Sequence, residues 1–113
     1  MKRVSILLLL LAGCTAKVTP QTLASVTSLT GDPAGGAPLY RQHCLECHGV
    51  EGDKDKHAVL PDILSKASDK EVEQAILAGP FIMPSFQKKL TPQQVADVTA
   101  YLRRTWGSSP PPQ

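Results

Sequence analysis

The sequence predicts a small all-α domain, and three observations carry that prediction. Two segments of the C-terminal half, opening at Ser68 and Thr91, have helix caps followed by apolar residues at helical spacing. A third helical stretch leads into a dense Cys/His cluster at residues 44–48. No segment alternates apolar and polar residues as a half-buried strand does.

The first helix runs from about Gly36 to His43 and delivers the chain into the cluster. Pro38 is unusual inside it, because its ring removes a backbone donor. Ser68-Asp69-Lys70-Glu71 has the S-x-x-E form of a capping box. Val72, Ile76 and Leu77 follow at helical spacing, and Gly79 with Pro80 ends the run. The last helix begins at Thr91, with Pro92 at its first position and Gln94 answering the cap. Val95, Val98, Leu102 and Thr105 or Trp106 form its apolar stripe, and Gly107 stops it.

The cluster is Cys44-Leu45-Glu46-Cys47-His48, and C-x-x-C-H reads as a c-type haem attachment site. Each thiol adds across one haem vinyl group to form a thioether. The two intervening residues set the sulfurs over neighbouring pyrrole edges, and the following histidine supplies the proximal nitrogen to iron. C-x-x-C also serves as a thiol–disulfide site or as half of a zinc site. Zinc would need further ligands from Cys14, His43 and His57, and a thioredoxin-type motif would need a βαβ setting that the pattern lacks. Met83 lies 35 residues after His48 and is the only methionine besides Met1. A Met/His pair raises the potential of a cytochrome c, so Met83 is the candidate sixth ligand. His57, flanked by Asp55 and Lys56, reads as a surface residue.

With these residues on the page, the chain resembles the small class I c-type cytochromes of bacteria over residues 34 to 106. Gly36 to Tyr40 and Cys44 to Gly49 are similar to that family's first helix and haem motif. Leu60-Pro61-Asp62-Ile63 resembles its loop in which a proline carbonyl, here that of Pro61, accepts from the proximal histidine. Met83-Pro84-Ser85-Phe86 resembles the distal-ligand loop, and Val95 to Leu102 the closing helix. The resemblance implies a small cytochrome c fold, three or more helices around one covalent haem c. It also implies that Gly36 and Tyr40 meet Tyr101 where the first and last helices cross.

The N-terminus reads as an address. Met1-Lys2-Arg3 and the apolar run Val4 to Ala12 mark an export signal. Nine residues fall well short of the eighteen or so of a membrane span. Leu11-Ala12-Gly13-Cys14 looks like a bacterial lipoprotein cleavage box, in which the Cys14 thiol is acylated. The alternative is an ordinary cleavage site with an incidental cysteine. Lipid on Cys14 and haem on Cys44 and Cys47 account for all three cysteines, and both modifications belong outside the cytoplasmic membrane. Thr15 favours the outer membrane. The expected organisation is therefore residues 1–13 as signal, 14–31 as a lipidated flexible tether, 32–107 as the cytochrome domain and 108–113 as a Pro-rich tail. As a flexible coil, residues 15–31 would reach about 23 Å.

Loss of Lys2 and Arg3 with the signal lowers the basic count from 12 to 10, against 10 acids. A near-neutral chain has no electrostatic footprint for nucleic acid. With both axial positions filled by protein, one-electron transfer is expected rather than catalysis. The leading expectation is a membrane-tethered carrier, not an enzyme, between a respiratory or periplasmic donor and a terminal oxidase or reductase. Lys88 and Lys89, with Lys54 and Lys56, form a candidate docking patch or simply a solvated surface. Two other classes stay open: a permanent subunit of a dehydrogenase or oxidase complex, and a haem-based gas or redox sensor if Met83 is displaceable.

Overall fold

Helix α6, Pro92–Trp106, is the beam on which the other elements are laid. The computed structural model describes residues 16–107, so the signal, Cys14 and the Pro-rich tail lie outside the described residues. Within them all regular structure is helical: α1 Pro20–Thr27, α2 Pro33–His43, α3 Leu45–His48, α4 Leu60–Lys66, α5 Asp69–Ala78 and α6.

Both capping boxes form. The Glu71 amide donates to Ser68 Oγ at 3.2 Å, and the Ser68 amide to Glu71 Oε1 at 3.2 Å. At α6 the Gln94 amide donates to Thr91 Oγ1 and the Thr91 amide to Gln94 Oε1. Helix α2 starts three residues before the sequence expectation because Asp32 caps it and Pro33 holds its first position. Pro38 does not break it; both Pro38 and Ala34, whose carbonyl loses its amide partner, are exposed and meet water.

Helices α2 and α6 cross at nearly zero side-chain thickness. A Cβ on Gly36 would lie 2.0 Å from the Asp97 carbonyl oxygen and 2.8 Å from Tyr101 Cβ, so only glycine fits there. Asp97 Oδ1 accepts from the Asp32 amide and from Gln93 Nε2, both at 2.8 Å, and pins the crossing. Tyr40, Tyr101 and Trp106 stack as tilted and edge-on pairs with centroids 5.3 to 6.4 Å apart. The expected meeting of Gly36, Tyr40 and Tyr101 is thus realised. Tyr40, Leu64, Val26, Val95 and Val98 are the largest fully buried side chains. Arg103 is buried on α6 and clamps it to the α4–α5 corner, donating to the Leu64 and Ala67 carbonyls and pairing with Asp69.

The tether expectation is corrected. Residues 20–27 form α1, capped by Thr19 and started by Pro20, and α1 packs on α5 and α6. Val26 is only 1% exposed, while Val18 and Leu23 lie against the same core. The Ala16 amide donates to the Ala78 carbonyl at 2.7 Å, so the folded body already includes Ala16. The segment reads as a linker because its Thr, Ser and Ala carry almost no charge. Val18, Leu23 and Val26 gain their meaning only from the apolar faces that α5 and α6 leave to be covered. Helices α3 and α4 also escape sequence reading, being one and two turns long, too short to show a period.

Candidate haem site

The motif is built at a corner of two helices. Cys44 closes α2 and opens α3, and His48 ends α3 before Gly49 turns away at φ 82°. Three bonds hold this corner: Tyr40 Oη donates to the Gly49 carbonyl at 2.6 Å, the Lys54 amide to the His48 carbonyl at 3.1 Å, and Lys54 Nζ to the Glu46 carbonyl at 2.6 Å. Lys54 is therefore committed to the motif rather than free for docking. Tyr40 sits among buried groups, which pushes its hydroxyl up to about 12, with Cys44 and Tyr101 adding to the effect. It acts as a fixed donor.

Cys44 and Cys47 are both free thiols, the first half-buried and the second exposed. Burial, then the neighbouring Cys47, pushes Cys44 up to about 11. That direction is opposite to the lowered value of a reactive redox cysteine. Among the described residues no three His, Cys, Asp or Glu side chains are grouped to hold a metal ion.

Burial lowers the pKa of His48, opposed by Asp55 and by the Ala58 backbone, and so favours the neutral ring that ligates a metal. Its Nδ1 is buried without a hydrogen-bond partner among the described residues, the Pro61 carbonyl included. Pro61 lies in the first turn of α4, where a carbonyl points along the helix axis toward the amide four residues on.

Met83 sits on a loop lashed to the end of α5. Gly79 closes α5 at φ 68°, the Met83 amide donates to the Pro80 carbonyl at 3.1 Å, Ser85 Oγ to the Leu77 carbonyl at 2.6 Å, and the Phe86 amide to the Ile76 carbonyl at 3.0 Å. Met83 and Cys44 pack against one core. The two halves also touch directly: the His43 ring, one residue before Cys44, meets the Phe86 ring edge-on at 5.6 Å. Neither His43, Phe86 nor the Tyr40 bond was visible in the sequence, since each depends on elements dozens of residues apart or on the fold of a corner. His57 is exposed, as expected.

Val50, two residues after His48, is 76% exposed, and Ile63 is 39% exposed. Two free thiols at C-x-x-C spacing, a buried unsatisfied imidazole nitrogen and a thioether against the same core are the donor set that a covalent haem requires.

Fold and site together define a small c-type cytochrome, an electron-transfer protein that binds haem c covalently. The chain belongs to the family described as cytochrome c oxidase, cbb3-type, subunit III, whose model matches residues 31–102. It is 37% identical over 79 residues to the 1-butanol dehydrogenase (cytochrome c) of Thauera butanivorans, covering 66% of this chain and 11% of the relative. It is 33% identical over 78 residues to the cytochrome bc1 complex cytochrome c subunit of Corynebacterium diphtheriae, covering 64% of this chain and 27% of that one. The chain thus spans only a small part of these relatives. Among solved structures, the KustC0563 c-type cytochrome superposes with a TM-score of 0.55 at 32% identity, over 62% of this chain and 95% of the other. Cytochrome c6 from the diatom Phaeodactylum tricornutum shares the fold at a TM-score of 0.52 and 23% identity, over 64% and 91% of the two chains. Helix α1 precedes the family match.

Proposed function

We propose that this chain is a membrane-tethered mono-haem electron carrier on the periplasmic side of a bacterial membrane. Cys44 and Cys47 would hold the haem through thioethers, with His48 and Met83 as its axial ligands. When bound, the haem supplies a one-electron couple. The protein's own contribution is positional. The α2–α3 corner fixes the thiols and His48, burial favours neutral imidazole, and the Gly79 turn aims Met83 toward the core. The observation that carries this reading is that the His43–Phe86 contact and one shared core bring the motif and the Met83 loop together.

Cys14 supplies the tether by acylation, and Thr15 after it favours the outer membrane. Lys56, Lys88 and Lys89 are exposed. A second reading, a permanent cytochrome subunit, is favoured by one observation: the relatives carry the matching segment inside much longer chains. Visible spectra of the membrane-extracted protein test the ligation. Sharp c-type bands on reduction are expected, with a weak far-red methionine–iron band in the ferric form that Met83→Leu abolishes. A far-red band that survives Met83→Leu would sink the assignment. Co-purification of a stoichiometric catalytic chain would favour the subunit reading over the carrier.

A further inference from the structure

The loop that carries Met83 ends in an unusual tip. Phe81 and Ile82 are 90% and 93% exposed, while Met83 beside them packs toward the core. Phe81 is held at φ 57°, the only described non-glycine residue in the left-handed region, and the Met83 amide closes the turn on the Pro80 carbonyl. Two large apolar side chains are thus presented outward by a fixed turn rather than by a loose loop.

The start of the folded body lies beside this tip. The Ala16 amide is bonded to the Ala78 carbonyl, three residues before Phe81. Three residues span at most about 11 Å, and the two residues from Cys14 to Ala16 at most about 7 Å. Because α1 is folded onto α5 and α6, the chain does not separate the two. An acylated Cys14 would therefore hold the tip within reach of the bilayer surface.

Charge agrees. No acidic residue occurs from residue 14 to 31 or from residue 74 to 96, whereas Lys17, Lys88 and Lys89 in those stretches are all exposed. Exposed apolar side chains on segments that carry lysines and no acids are the composition that enters the headgroup boundary of an anionic membrane.

We infer that Phe81 and Ile82 are a membrane-surface contact, docking the Met83 side of the molecule on the bilayer that holds its lipid. This inference rests on the proposed acylation of Cys14. It replaces a freely swinging domain with an oriented one, whose methionine face meets membrane-embedded partners.

The test uses full-length acylated holoprotein in vesicles of phosphatidylethanolamine and phosphatidylglycerol. Hydroxyl-radical footprinting reads side-chain exposure, with exposed His57 as internal reference. Phe81 and Ile82 should be modified several-fold more slowly than in the Cys14→Ser chain mixed with the same vesicles. Vesicle-bound protein whose Phe81 and Ile82 react as fast as in the unanchored chain would overturn the contact and leave the anchor standing. Protection that needs an added redox protein would assign the tip to a protein interface and likewise overturn it. A chain that does not float with vesicles, and whose N-terminal peptide carries no acyl mass, would remove the anchor and this inference with it.

Discussion

At Gly79 a single missing side chain decides where Met83 goes. A Cβ there would fall 2.4 Å from the Ser85 nitrogen and 2.7 Å from the Met83 carbonyl oxygen, and φ is 68°. The obstacles are backbone, so the loop itself would have to move. Gly79→Ala should cost about 2 kcal/mol or more, combining the left-handed penalty with the clash, and should weaken the far-red methionine band. Unchanged melting temperature and an unchanged band would refute the role. At this scale the sequence shows chemistry and hides support. Cys44, Cys47, His48 and Met83 are legible because few residue types can serve haem. The Tyr40 bond to Gly49 and the orphan Nδ1 of His48 are not, because they depend on which groups the folded chain leaves facing one another.

Among elements, α5 carries the least expected group. Glu73 is only 6% exposed, and its Oε2 has no hydrogen-bond partner among the described residues. Burial first, and Asp69 one turn earlier, push it up from an ordinary 4.5 to about 7. The folded chain then binds the proton more tightly than the unfolded one. Its contribution is full below about pH 4.5 and is lost as pH rises through 7. Glu73→Gln should therefore flatten the pH dependence of holoprotein stability and gain roughly 2 kcal/mol at pH 8. Parallel pH–stability curves for the two proteins would refute this. The helices with capping boxes, α5 and α6, were legible to the residue because each box is a pair of local bonds between neighbours. Helix α1 was not, because only Leu23 and Val26 mark its apolar side, and the elements they pack on are α5 and α6.

The whole molecule is held by very little aromatic mass. Five Phe, Tyr and Trp residues serve the entire chain, and Phe81 lies outside the core. A single core of this size contributes only about 3–5 kcal/mol without a staple. In the proposed ligation, haem held at the α2–α3 corner and by Met83 would join segments far apart in the chain. A Cys44→Ser/Cys47→Ser chain should therefore lose most of its helical circular dichroism. Native-like ellipticity without haem would overturn that dependence.

What the sequence alone determined is the all-α class, the capped helices and the haem chemistry, since each is written in residues close together along the chain. Tertiary structure decided the rest. It turned a supposed tether into α1, buried Arg103 and Glu73, and set Ala16 beside the Met83 loop. Those outcomes depend on which surfaces remain after α2 and α6 have crossed, and a leftover surface has no signature in local sequence.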